Sequence, residues 1–127
     1  MADPESIKKA LQKEMSVYQT LQQELSKFVK TRTELSARAN ETDIVLEELK
    51  LLDDDANVFK SVGPVLVRQD LVEARSNVTN RLEFIKKDLE RLDGQIKSLE
   101  GRMMEREKEM MKLQGKLRAA GGSGASA

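Results

Sequence analysis

The sequence lacks two residue types on which much protein chemistry depends, because its 127 residues include neither cysteine nor histidine. Without cysteine the chain can form no disulfide and offers no thiolate. Without histidine it lacks the commonest general base and the commonest metal ligand. No catalytic motif places a nucleophile beside a base. The two long helices that the seam patterns below predict would also offer no enclosed cavity for a substrate. We therefore expect a protein that is not an enzyme and that binds no cofactor.

Aromatic residues are also scarce, at 3%. Neither sign of charge is in excess, since Lys+Arg and Asp+Glu both number 22. A net charge of zero argues against nucleic acid or a membrane surface as the main partner. No apolar run approaches the length of about 18 residues that indicates a membrane span, and residues 1–5 include no apolar signal segment. We expect a cytoplasmic protein made mostly of solvated helices, since 35% of the residues are charged.

The first half of the chain has the alternating four- and three-residue spacing of apolar positions that is typical of a coiled-coil seam. This spacing runs from Ile7 to Leu49 and is interrupted at Glu14, Arg32 and Thr42. Asp3 is a suitable N-cap. Pro4 follows it at the first helical position, where proline is favoured. The pattern predicts a first helix over about 4–52.

A second seam runs from Leu71 to Leu117, interrupted only at Arg75 and Arg106. Asp70, with Glu73 three residues later, forms a capping-box pattern that predicts the helix start. The second helix should span about 71–118, followed by a flexible tail of small residues over 119–127.

The segment between the helices changes in character and predicts a β-hairpin over about 57–69. Val58–Val62 and Val65–Gln69 are rich in β-branched residues and flank the turn-forming pair Gly63-Pro64. The acidic run over 53–55 lacks the spacing of a calcium-binding loop, so it predicts a solvated turn and no metal site.

Near-equal helix lengths and a compact connector favour a single domain over 1–127 in which the helices fold back as an antiparallel coiled coil. The alternative is an open parallel dimer of either helix. In the antiparallel arrangement Glu14 and Arg106 fall in neighbouring layers of facing seam side chains. Because an isolated charge in a seam is costly, we expect the two to pair.

Apolar residues outside the seams need a separate explanation, because a two-helix coiled coil buries only its seam. One group, near the connector, is Ile44, Val45, Leu51, Leu52, Val72 and Phe84. A lone two-stranded hairpin is marginally stable in water, so we expect hairpins of several subunits to join in a shared sheet or barrel. The predicted oligomerisation residues are Val58, Phe59, Val62, Val65, Leu66 and Val67. The alternative is a hairpin that folds back on its own helices.

A second group of off-seam apolar residues, Met15, Val17, Met104 and Met111, lies toward the free ends of the helices. Methionine is flexible and common on surfaces that bind many partners. This group therefore predicts a binding surface. The alternative, that methionine simply fills the seam, accounts for Met103 and Met110 only.

The run from Asn57 to Gln69, preceded by Glu47-Glu48-Leu49-Lys50-Leu51-Leu52-Asp53, resembles β-class prefoldin subunits. Its Gly-Pro-Val-Leu-Val-Arg-Gln stretch is most similar to the eukaryotic subunit 6 type. The resemblance covers residues 5 to about 118 and is most specific over 47–75. The three aspartates at 53–55 are more acidic than the family pattern.

The resemblance implies a hexamer of two α-class and four β-class subunits, with the hairpins joined in β-barrels and the coiled coils extending from them. It implies that the coiled-coil tips hold non-native proteins such as actin and tubulin without ATP and deliver them to a cytosolic group II chaperonin. The implied client-binding residues are Ile7, Leu11, Met15, Met103, Met104, Met110, Met111, Leu113 and Leu117. A structural coiled-coil spacer or tether without client binding is the other function that the sequence allows.

Overall fold

The computed structural model describes residues 3–125 and shows two long helices joined by a two-stranded antiparallel hairpin. Helix α1 spans Pro4–Leu51, strand β1 spans Val58–Val62, strand β2 spans Val65–Gln69, and helix α2 spans Leu71–Ala125. The predicted fold class, mainly α with a β-hairpin between the helices, is confirmed.

Local chemistry sets where the helices begin. The backbone N–H of Glu5 donates to Oδ1 of Asp3 over 2.7 Å, so Asp3 caps α1 as the sequence predicts. At the start of α2, the N–H of Ala74 donates to the carbonyl oxygen of Asp70 over 2.8 Å. Both helices therefore start at the predicted residues.

The far end of α2 differs from the prediction, because the helix continues to Ala125. Residues 119–125 are helical where a flexible tail was expected, and 126–127 lie outside the described residues. Ala119 and Ala120 have the highest helix propensity of any residue type. The glycines that follow each cost only about 1 kcal/mol, which weakens a helix without ending it.

The chain divides into two compact units, each containing a segment of both helices. Unit 1 comprises residues 1–30 and 94–127, and unit 2 comprises residues 31–93. In unit 1, Leu21 packs with Leu99 and Met103. In unit 2, Leu49 packs with Leu71 and Ala74.

Within each unit the two helix segments run antiparallel, and every predicted seam position is buried or half-buried. The side chains that are most completely shielded are apolar: Ile7, Leu21, Leu99 and Met103 in unit 1, and Leu46, Leu49, Leu71, Ala74, Leu82, Ile85 and Leu92 in unit 2. None of the helices in the described part of the chain has a segment long and apolar enough to cross a membrane.

Candidate functional site

The hairpin of unit 2 is held by antiparallel residue pairs, from Val58 opposite Gln69 to Val62 opposite Val65. Gly63 has a φ of 58°, the left-handed conformation required at the first central position of a type II′ turn. Pro64 suits the second central position, since its ring holds φ near about −65°. The predicted two-residue turn is therefore the connection that forms.

Directly opposed residues share a face of the hairpin, so the pairing sorts its apolar side chains into two faces. Phe59 and Leu66 lie on one face. The other face carries Val58, Val62, Val65 and Val67. Only Val58 is shielded, because it packs against the cluster formed by Leu49, Leu71 and Ala74.

The other predicted oligomerisation residues are largely open to solvent. Their exposed fractions are 54% for Phe59, 53% for Val62, 57% for Val65, 67% for Leu66 and 48% for Val67. Packing of the hairpin against its own helices thus covers Val58 and leaves most of the apolar strand surface uncovered.

The exposed apolar surface of unit 2 extends from the hairpin onto the helices. A groove of about 390 Å³ beside β1 is lined by Val45, Val58, Phe59 and Val78, among others. The off-seam residues that the sequence singled out are all exposed: Ile44, Val45, Leu51, Leu52, Val72 and Phe84. Large exposed apolar patches are typical of surfaces that associate with another protein.

Arg75 connects α2 to the end of α1 at the base of the hairpin. Its guanidinium donates from Nε to the carbonyl oxygen of Leu49 and from Nη2 to that of Leu52, both over 2.9 Å. The last carbonyls of a helix lack intrahelical partners, so Arg75 caps α1 from the neighbouring helix. Sequence reasoning identified Arg75 only as a break in the seam, because a cap of this kind depends on the facing helix.

A second arginine stabilises the same region. Arg68 on β2 donates from Nη2 to the side-chain oxygen of Asn57 over 2.7 Å. This bond links β2 to the residue that precedes β1. The N–H of Ala56 donates to the carbonyl of Asp53 over 2.9 Å, which closes the predicted acidic turn. These bonds order the connector before β1, and Val58 packs the hairpin against Leu49, Leu71 and Ala74 of the helices.

In unit 1 the structure divides the predicted client-binding residues into two groups. Met15, Met104 and Met111 are 55%, 59% and 71% exposed. The remainder occupy the seam and are buried or half-buried: Ile7, Leu11, Met103, Met110, Leu113 and Leu117. The sequence reasoning did not single out Val29, which is 46% exposed outside the seam.

The predicted pairing of Glu14 with Arg106 is confirmed. Nη1 of Arg106 lies 3.1 Å from Oε1 and 3.0 Å from Oε2 of Glu14. The pair bridges the two helix segments at a level where apolar residues would otherwise meet. An ion pair in this position contributes little net stability, about 0–1 kcal/mol when partly wet, but it favours one register of the helices.

Two further polar contacts join the helices within their units. In unit 1, Tyr18 donates its hydroxyl to Oε1 of Glu107 over 2.8 Å. That bond, with partial burial and the carboxylate charge, raises the pKa of Tyr18. In unit 2, Arg32 donates to the carboxylate of Asp93, and this bond lowers the pKa of Asp93. Both contacts connect a seam residue of α1 to a residue flanking the seam of α2.

Both candidate sites are therefore exposed apolar surfaces. Across the described residues, no group of acidic side chains is arranged to hold a metal ion. What the structure presents is an apolar hairpin in unit 2 and exposed methionines in unit 1, each supported by a polar framework that holds the helices in register.

Comparison with known proteins agrees with this description. The family model for prefoldin subunits matches residues 12–117. The chain is 41% identical over 116 residues to prefoldin subunit 6 of Mus musculus, covering 91% of each chain. It is 42% identical over 116 residues to prefoldin subunit 6 of Homo sapiens, covering 91% of this chain and 90% of that one.

The fold is also that of a solved structure. The prefoldin beta subunit from Thermococcus strain KS-1 aligns with a TM-score of 0.68 at 23% identity, covering 87% of this chain and 91% of that chain. The resemblance that the sequence showed, to β-class subunits of the subunit 6 type, is confirmed by these similarities.

Proposed function

Because the chain belongs to the prefoldin subunit family, we propose that it is a β-class subunit of a hexameric co-chaperone that holds non-native proteins without ATP. Family membership makes the chain a component of a chaperone assembled with other prefoldin subunits. The proposal adds that the complex works in the cytoplasm, that actin and tubulin are among its clients, and that it delivers them to a group II chaperonin. No catalytic step and no cofactor is involved.

The apolar strand surface supports the assembly part of the proposal. Phe59, Leu66 and Val67 are about half exposed or more, although Val58 packs the base of the same hairpin against the helices. A hairpin with open edges pairs readily with another strand. Pairing with hairpins of neighbouring subunits would cover both its edges and its apolar faces, as a shared barrel does.

The exposed methionines of unit 1 are the observation that carries client binding. Met15, Met104 and Met111 contribute nothing to the seam, yet they are among the most exposed apolar side chains of the unit. Flexible thioethers adapt to clients that share no sequence. Several weak patches on separate subunits can hold one client firmly through avidity.

Seam residues at the helix ends would add to this surface. Ile7, Leu113 and Leu117 are buried or half-buried in the intact helices. The terminal turns of isolated helices lack hydrogen-bond partners and fray. Fraying of the first turn of α1, which starts at Pro4, would present Ile7 to a client transiently. Leu113 and Leu117 lie about three and two turns before the end of α2 at Ala125, so they would be presented only if more of that helix opened.

A matched substitution tests the proposal. The chain carrying Met15→Gln, Met104→Gln and Met111→Gln should assemble with its partner subunits but suppress aggregation of chemically unfolded actin less well than the natural chain, in the absence of ATP. Glutamine keeps the length and helix propensity of methionine and removes its apolar surface. Lys97→Glu, at an exposed site of the same unit, is the control and should change little.

If the triple variant suppresses aggregation as well as the natural chain, the exposed methionines do not bind clients. A complex that assembles and suppresses nothing, even with the natural chain, would favour a structural spacer or tether.

A further inference from the structure

One side of α1 in unit 1 has no charged residue over five helical turns, although 35% of the chain is charged. With Leu11 at heptad position a, the e and b positions that follow one edge of the seam are Gln12, Met15, Gln19, Gln22, Ser26 and Val29. We call this surface the uncharged flank. The c and g positions on the opposite side include Lys13, Glu24 and Lys27, so the lack of charge is specific to one side.

The structure shows which side of α2 lies next to the uncharged flank. Tyr18, at position a of α1, donates to Glu107 at position e of α2, so the e edges of the two helices lie on the same side of the pair. Met104 and Met111 occupy b positions of α2, next to that edge. The three exposed off-seam methionines of unit 1 therefore lie on the side of the uncharged flank.

A groove follows the flank. It has a volume of about 620 Å³ and is lined by Gln12, Met15, Tyr18, Gln19, Gln22 and Met110, with Ser16. The three glutamines are exposed, and each carries an amide that both donates and accepts hydrogen bonds. The groove thus combines flexible apolar side chains with uncharged groups that can pair with a polypeptide backbone.

The spacing of these amides suits an extended chain. Gln12 and Gln19 are two helical turns apart, a separation of about 10.5 Å along the axis. Three residues of an extended polypeptide span about 10 Å. A segment lying along the groove could therefore meet glutamine amides at intervals of three residues and place apolar side chains against the methionines between them.

We infer that the uncharged flank binds an extended, uncharged segment of a non-native polypeptide, pairing its free backbone groups through Gln12, Gln19 and Gln22. The inference rests on the proposed function and names the class of ligand that the methionine surface takes. A folded protein has its backbone groups already paired, whereas an unfolded one presents them together with apolar side chains. The side chains that line the groove carry no charge, so a charged segment would find no partner there. Covering an unpaired charge is costly, which favours an uncharged segment.

The experiment compares two variants that carry equal added charge. Gln12→Glu, Gln19→Glu and Gln22→Glu place three carboxylates on the uncharged flank. Thr20→Glu, Gln23→Glu and Ser98→Glu place three carboxylates on exposed positions away from it. Each full-length chain is assembled with its partner subunits, its native mass is measured, and its affinity for a short labelled peptide of uncharged apolar and polar residues is determined by fluorescence anisotropy.

We expect the flank variant to bind the peptide about tenfold more weakly than the natural chain, because enclosing carboxylates in the groove is unfavourable. The control variant should change the affinity by less than about twofold, as exposed charges do. The same peptide with N-methylated backbone amides should bind the natural chain more weakly, because it cannot donate hydrogen bonds to the glutamines.

Equal affinities for the two variants, or full affinity for the N-methylated peptide, would overturn the inference while leaving the proposed function intact. Loss of assembly by the flank variant alone would show that the flank contacts another subunit, which also overturns it. If the natural complex neither binds the peptide nor suppresses aggregation, the proposed function fails, and the inference with it.

Discussion

At the scale of single residues, three of the side chains that interrupt the apolar seams form ion pairs between the helices. Glu14 pairs with Arg106 in unit 1, and Arg32 pairs with Asp93 in unit 2. Sliding one helix by a heptad would separate each pair and would leave Glu14 and Arg106 opposite apolar seam residues, which is unfavourable. The interruptions therefore select one register, which a seam of leucines alone would specify only weakly.

The contribution of the Arg32 pair to stability should depend on pH. The hydrogen bond from Arg32 lowers the pKa of Asp93 in the folded chain. The stabilisation is therefore complete above the unfolded pKa, about 3.9 for aspartate, and is lost as the pH falls through the lower folded value. We expect Asp93→Asn to lower the thermal unfolding midpoint at neutral pH, with the difference from the natural chain shrinking below about pH 3.9.

Thermal unfolding followed by circular dichroism at a series of pH values measures this difference. Glu90→Gln, at an exposed position of the same helix, serves as the control for removing one negative charge. A difference between Asp93→Asn and the natural chain that stays constant down to low pH would contradict the assignment.

Arg75 should stabilise the chain through its hydrogen bonds and not only through its charge. Arg75→Met keeps the apolar stem and removes both donors to the carbonyls of Leu49 and Leu52. Hydrogen bonds from a charged group contribute about 1.5–3 kcal/mol each when well formed, and partial exposure of this site reduces that value. We expect Arg75→Met to lower the free energy of unfolding in urea by about 1–3 kcal/mol, and Arg75→Lys to lower it less. Unchanged unfolding of Arg75→Met would show that the cap is dispensable.

At the scale of elements, the features that depend on local chemistry were predictable from the sequence. Asp3 and Asp70 mark the helix starts, and Gly63-Pro64 marks the turn, because a cap or a tight turn is decided by adjacent residues. The end of α2 was predicted too early, since glycine and serine weaken a helix without terminating it. The buried Ala74 and the cap formed by Arg75 were not predicted, because both depend on which residues the facing helix presents.

The hairpin should be required for assembly and dispensable for the helices. Leu66 lies on one face of the hairpin and Val67 on the other, so replacing both with lysine places a charge in either interface that the strands could form. Burying those charges without partners is unfavourable. We expect Leu66→Lys with Val67→Lys to abolish complex formation, as measured by native mass spectrometry, while circular dichroism shows nearly unchanged helix content.

The control adds the same charge elsewhere in unit 2. Ser76→Lys with Asn80→Lys, at exposed positions of α2, should leave the mass of the complex unchanged. Entry of the hairpin variant into a complex of full mass would mean that the strands do not form the shared interface.

At the scale of the whole molecule, the exposed apolar side chains fall into two sets, for which we propose different roles. The set in unit 2 comprises the hairpin strands and the helix surface near them. The set in unit 1 is smaller and rich in methionine. Assembly would cover the first set and leave the second available.

A truncation separates assembly from client binding. Removing residues 1–15 together with 104–127 deletes Met15, Met104 and Met111 and the helix ends that would fray, while the hairpin remains. We expect the shortened chain to enter a complex with its partner subunits. Suppression of aggregation of unfolded actin should fall at least about tenfold when every β-class subunit is shortened. Shortening a single subunit should have a smaller effect, because the contacts of the other subunits still act together on one client. A fully shortened complex that holds actin as well as the intact one would show that this subunit contributes architecture and that client binding belongs to other parts of the complex.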